Sequence, residues 1–214
     1  MEPQSTRTLR VGDAISYGWN AFKRWPGMLI LVVVIVWAIS FAISTVGAIV
    51  GGDQIAIRLV FNLVGWVVSA MLTLGMYRVA LMVTHGQEPD VGQLFVLEGV
   101  GRYLVASFLF GLGMMIGLVL LIVPGIIFAV TFGFYGVAIA DTDVGIVDSF
   151  KRSAELTKGQ RGTVFLLGLA FFGIGLLGLL ACFVGSLVSG PVTLVATAFA
   201  YRTLAQEQPV PMGT

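Results

Sequence analysis

Between Tyr103 and Ala140 the chain runs without a single Asp, Glu, Lys or Arg. As one helix this stretch would be about 57 Å long, against a hydrocarbon core of roughly 30 Å. The run therefore reads as two membrane crossings joined by a turn. Pro124 and Gly125, near its middle, supply the expected turn: proline removes a backbone donor and disfavours helix at the residue before it, and glycine tolerates the bend. The expected spans are 103–123 and 124–140, the second extending toward Thr142.

The same argument applies along the rest of the chain. Residues 27–50 suffice for one crossing, Gly51-Gly52-Asp53-Gln54 breaks the run, and Ile55 to Val83 forms the next. Gly162 to Tyr201 is again too long for one span. It divides around Gly185, Ser189, Gly190 and Pro191 into segments near 162–184 and 187–205. The expected fold is all-α, a polytopic bundle of six transmembrane helices over 11–205, with polar tails at 1–10 and 206–214. Composition agrees: 57% of residues are hydrophobic and 11% charged, where a soluble domain carries about 25% charge. Residues 1–10 are polar and the first apolar run outlasts a signal-peptide core, so the first span is expected to be an uncleaved anchor.

Charge placement sets the orientation. With the N-terminus inside, Arg7, Arg10, Lys23, Arg24, Arg78, Arg102, Lys151, Arg152, Lys158, Arg161 and Arg202 fall on the cytoplasmic side and only Arg58 outside. Basic residues are enriched in cytoplasmic loops. Both termini are therefore expected in the cytoplasm, and a bacterial plasma (inner) membrane is the expected location. A net charge of +1 points to no nucleic-acid partner.

A threefold pattern overlies the spans, with units near 11–84, 91–140 and 144–205. Each opens with Val-Gly (Val11-Gly12, Val91-Gly92, Val144-Gly145) and closes on a tyrosine: Tyr77-Arg78, Tyr135-Gly136 and Tyr201-Arg202. Chance recurrence of short apolar dipeptides is the competing explanation. The arginines after Tyr77 and Tyr201 are expected to snorkel. About three interfacial amphipathic helices precede the hairpins. In the first, Val11, Ile15, Trp19 and Phe22 share a face. In the second, Asp90 and Gln93 resemble a capping box. In the third, Asp143 caps, Gly159 ends the helix, and Val147, Phe150, Ala154 and Thr157 face the membrane. These segments read as a structural collar lying flat on the membrane surface.

Catalytic chemistry finds little support. His85 is the single histidine and sits in a polar segment. Cys182 is the single cysteine and reads as a small hydrophobe. No carboxylate falls inside a span, and no metal-ligand cluster, phosphate loop or nucleophile elbow is present. No catalytic, metal-binding or cofactor-binding residue is assigned, and no cofactor is expected. Asn62 and Thr131 stand out as polar groups within spans, read either as interhelical hydrogen-bonding groups or as substrate contacts. Small residues at four-residue spacing (Gly47/Gly51, Gly65/Ser69, Gly113/Gly117, Ala181/Gly185, Gly185/Ser189) suit close helix packing.

Ile122-Val123-Pro124-Gly125-Ile126-Ile127, Asp148-Ser149-Phe150-Lys151-Arg152-Ser153 with Lys158-Gly159, and Tyr201-Arg202 together resemble one bacterial group. It comprises six-span inner-membrane proteins like the YciC family and the membrane domain attached to some glycerophosphoryl diester phosphodiesterases. The similarity covers about residues 100–205, with Asp13-Ala14-Ile15-Ser16-Tyr17-Gly18-Trp19 also like the start of such proteins. The resemblance implies membrane architecture and bacterial origin, and no catalytic residue. Two functions stay open. One is a non-enzymatic structural module in the lipid bilayer that binds a membrane protein partner or forms a homo-oligomer. The other is a small permease or channel for an uncharged or lipid-like solute.

Overall fold

A computed structural model describes residues 8–52, 54–180 and 185–212. Nine α-helices and one 3-10 turn are formed among them: α1 Val11–Arg24, α2 Pro26–Gly51, α3 Ile55–Thr84, the 3-10 turn Val91–Phe95, α4 Val100–Leu120, α5 Ile122–Phe132, α6 Tyr135–Thr142, α7 Ile146–Thr157, α8 Arg161–Leu180 and α9 Ser186–Leu204. Five segments are long and apolar enough to cross a membrane: α2, α3, α4, the α5–α6 segment and α8. α9, at 19 residues, is long enough but is not among them. It lies inside the bundle, packed against α1, α2, α3 and α8. A helix wrapped by other helices needs no apolar face toward lipid, which is why α9 can carry so many threonines. Thr193, Thr197 and Thr203 each donate to the carbonyl four residues back, at 2.7–2.8 Å.

Helices α2 and α3, α4 and α5, and α8 and α9 pack as pairs. The reversal between α4 and α5 falls at Leu121, in extended conformation (φ −170°, ψ 149°). Pro124 and Gly125 are therefore not the turn: they sit in the first turn of α5. Proline is tolerated there because the first backbone N–H groups of a helix have no intrahelical partner. Gly125 serves the α4–α5 contact instead, since a Cβ on Gly117 would stand 2.8 Å from Gly125 Cα. Ser189, Gly190 and Pro191 likewise lie inside α9, with Gly185 at its N-cap. Ala181 and Cys182 lie outside the described residues.

The other small-residue positions also act within the chain. A Cβ on Gly113 would run into the Phe128 ring of α5, one on Gly65 would meet Ile43 at 3.5 Å, and one on Gly178 would meet the Gly185 carbonyl at 3.2 Å. Gly117→Leu is expected to lower the melting temperature in detergent, at a cost of about 1–3 kcal/mol for overpacking. Gly111, with nothing within 4 Å of its Cβ position, is the control: Gly111→Leu is expected to melt with the wild type.

Burial is uneven along the bundle. The core (Leu72, Leu74, Val79 and Val83 of α3, Val137 and Ile139 of α6, Val195 to Tyr201 of α9) gathers at the end where α1, α7 and the charged residues lie. At the opposite end, where the hairpins turn, the surface is apolar and uncovered: Ile49 is 76% exposed, Val119 81% and Leu180 72%. Water would not tolerate this much contiguous apolar surface.

Candidate functional site

Two regions carry polar chemistry: the charged end of the bundle and a groove between α2 and α3. At the charged end, α1 is docked rather than floating. Its buried face is Ala14, Tyr17, Gly18 and Ala21, a row of mostly small residues pressed on α9. The expected stripe of Val11, Ile15, Trp19 and Phe22 is only half-buried: Val11 and Phe22 pack on the edge of the core, and Trp19 is 47% exposed while stacking on Phe22. Periodicity identified an apolar face, but the closest helix–helix approach selected the glycine face.

The second expected amphipathic stretch is a 3-10 turn. Asp90 caps it, accepting from Gly92 N at 2.9 Å, and Gln93 N bonds the Asp90 carbonyl. Leu94 is fully buried against α3 at Gly75. Arg78 of α3 donates to the carbonyls of Val96 (2.8 Å) and Glu98 just beyond this turn.

α7 buries a polar stripe, Ser149, Ser153 and Thr157, instead of Val147, which is 63% exposed. The reason is the break between α5 and α6. Ser153 Oγ accepts from Phe134 N (3.1 Å) and donates to the Thr131 carbonyl (2.9 Å), and Thr157 Oγ1 donates to the same carbonyl (3.3 Å). Thr131 is thus placed by its backbone, far from Asn62. Asp143 does not cap α7. It ends α6 in the left-handed region (φ 50°) and receives Arg102 through both its carbonyl and its carboxylate. Gly159 follows α7 at φ 84°, as expected. Ser153→Ala would leave Phe134 N without its partner, a loss of about 1–3 kcal/mol, expected as a lowered melting temperature.

A network then ties six segments together: α1, α3, α6, α7, α9 and the segment that follows α9. Arg152 Nε donates to Tyr201 Oη (2.8 Å), and Tyr201 donates to Asp141 Oδ2 (3.3 Å). Arg152 also lies 3.9 Å from both Asp141 and Glu207. Arg202 is buried, not snorkelling: it donates to the Thr84 carbonyl (2.7 Å) and pairs with Glu207 (3.1 Å). The segment after α9 folds back, with Val210 N on the Thr84 carbonyl (3.0 Å) and Tyr17 Oη donating to the Val210 carbonyl (2.9 Å). Burial pushes the Tyr17 hydroxyl up from 10.0 to about 12, against the pull of the nearby Arg202 and Arg24 charges. A raised folded-state pKa means this contribution is complete below pH 10 and is lost as pH rises through 12. His85 is exposed, its Nδ1 2.8 Å from the Leu81 carbonyl. Tyr201, Arg202 and Arg152 stand out in the sequence one at a time, and Asp141 does not. Their convergence with Asp141 and Glu207 needed the fold.

The second region is an open groove of about 330 Å³ lined by Ser40, Ser44, Arg58, Asn62, Gly65 and Ser69, among others. It lies between α2 and α3, reaching to Arg58 in the first turn of α3. Gly47 and Gly65 leave it space by lacking side chains. Asn62 faces it and Thr131 does not.

The chain matches the model of a family described as a domain of unknown function (DUF7847) over residues 53–210. It belongs to that family of proteins. Among its relatives are uncharacterized proteins of Mycobacterium tuberculosis (Rv2560) and Mycobacterium bovis (Mb2590). Each is 27% identical over 94% of this chain and 70% of the relative. No solved structure matches.

Proposed function

We propose that this protein is a non-enzymatic, six-span module of the bacterial plasma membrane, with both termini cytoplasmic, that holds partners within the bilayer. The observation that carries it is the contrast between the two ends. The charged end is closed by α1, α7 and the returning tail. The α2–α3 pair, by contrast, projects with both apolar flanks and a polar groove uncovered. In this reading α9 is the sixth span, shielded from lipid by its neighbours. The three helix pairs, each preceded by α1, the 3-10 turn or α7, are three copies of one unit. Asn62 and Thr131 lie in different places, which supports a binding module over a permease with both in one path.

Topology is tested in a Cys182→Ser background. Gln54→Cys should react with an impermeant maleimide in intact cells, and Glu88→Cys only after lysis; the reverse pattern would overturn the orientation. Partner binding is tested by native pull-down from membranes with mass spectrometry. A stoichiometric membrane protein is expected, whereas the protein alone with a bound solute would favour transport.

A further inference from the structure

We infer that the α2–α3 groove is a binding site for an anionic phospholipid of the outer leaflet, whose phosphate sits on Arg58. The inference rests on the proposed orientation, with the C-terminal end of α2 and the start of α3 outside. Arg58 is the one basic side chain at that end among the described residues. It makes no ion pair or hydrogen bond with any of them. The side chains of Ser40, Ser44 and Asn62 also have no hydrogen-bond partner among the described residues. An arginine without a partner at the end of an apolar helix is suited to the phosphate of a lipid headgroup, which it contacts through charge-assisted hydrogen bonds.

The spacing fits a lipid. Arg58 is the fourth residue of α3, so it stands at the membrane surface. Asn62 lies one turn deeper, about 6 Å along the axis. The headgroup layer on each side of the core is roughly 5–7 Å thick. Arg58 therefore meets a phosphate while Asn62 and Ser44 meet the glycerol–ester region, the Asn62 amide donating to an ester carbonyl. The Arg58 stem lies flat on α2 because Gly51 has no side chain, with a Cβ there only 2.5 Å from Arg58 Cγ. The chains then run along the exposed apolar flank of α3, where Leu59 is 63% exposed and Leu63 59%. The volume of about 330 Å³ lies within the range of small-molecule sites.

A second copy of the chain is a poorer occupant. Two copies related by an axis normal to the membrane would bring groove to groove at equal depth, Arg58 against Arg58. Among the described residues the acidic side chains lie at the opposite end of the bundle, so none of these reaches the partner's groove.

The test is native mass spectrometry on the delipidated full-length protein, titrated with phosphatidylglycerol. Diacylglycerol with the same chains and inorganic phosphate serve as separate arms. One phosphatidylglycerol per chain is expected, with diacylglycerol about tenfold weaker, as loss of one charge-assisted contact implies. Phosphate alone is expected not to raise the melting temperature. Arg58→Gln should weaken phosphatidylglycerol about tenfold, and Ser44→Leu, which fills the groove from the other helix, should block it. Equal binding by wild type and both variants would overturn the site, as would equal affinity for diacylglycerol. A dimer that Ser44→Leu dissociates would make the occupant a second copy and also overturn it. Labelling of Gln54→Cys from outside separates failure of the lipid site from failure of the topology.

Discussion

Gly18→Leu is expected to disrupt the bundle at its charged end. A Cβ at this position would overlap the Val192 carbonyl oxygen and stand 3.2 Å from Val192 C and 3.3 Å from Ala196 Cβ. Two of these three atoms belong to backbone, so no rotamer change relieves the clash, and α1 must lift away from α9. Overpacking costs about 1–3 kcal/mol where side chains can adjust. Here the upper end of that range is the floor, because separating α1 also exposes the Tyr17–Phe199 contact (4.5 Å between ring centroids) and unseats Tyr17 from Val210. Gly12, with nothing within 4 Å of its Cβ position, provides the control on the same helix. Melting followed by size-exclusion chromatography in detergent should show a large loss for Gly18→Leu and none for Gly12→Leu. Identical melting of the two would mean that α1 does not dock on α9.

Arg202→Met is expected to release the segment after α9. The guanidinium joins the Thr84 carbonyl at the end of α3 to Glu207, and only 7% of Arg202 is exposed. Removing one partner of a fully buried pair costs about 3–5 kcal/mol. The Glu207 side chain is 37% exposed, so solvent screening lowers the expected loss to about 2 kcal/mol. Methionine keeps much of the arginine stem's volume, so the variant tests the charge and its hydrogen bonds. Limited proteolysis should cut residues 206–212 faster than in the wild type. Glu207→Gln, which keeps a hydrogen-bond acceptor, should show a smaller change. Wild-type digestion of Arg202→Met would place the anchor of this segment elsewhere, on Tyr17 and Thr84.

Run length and hydropathy place most of the long helices close to those observed, while the expected helix near 91 is a 3-10 turn and the expected span 124–140 is divided into α5 and α6. The second part of the last apolar run was read as 187–205, and α9 covers Ser186–Leu204. The turns were less legible. Pro124-Gly125 signals a place where helix is disfavoured, but proline in the first turn of a helix gives nearly the same signal as proline in the turn itself. The chain reverses at Leu121, a residue with no turn preference of its own. Its position is set by where Gly117 and Gly125 can cross.

Helix faces followed the same division. A stripe of apolar residues tells which side of a helix avoids water, and α1 and α7 both carry one. In a chain with apolar surroundings on many sides, that stripe does not say which side meets protein. Gly18 and Ala14 meet α9 because small residues allow the nearest approach. Ser153 turns inward because its hydroxyl satisfies two backbone groups at the break between α5 and α6, Phe134 N and the Thr131 carbonyl. Arg58 was visible in the sequence as the lone basic residue on its side, but without Ser44 of α2 beside it there was no groove.

What the sequence by itself determined is the helical class, the presence of several long apolar segments, and the segregation of charge. These follow from one-dimensional quantities: run length, hydropathy and the spacing of Lys and Arg. Only the tertiary structure decided which faces touch, where the turns fall, and that Arg152, Asp141, Tyr201, Arg202 and Glu207 form one network. Those depend on close approach between residues far apart in the chain, and close approach is set by volume and by unsatisfied backbone groups, which no local pattern encodes.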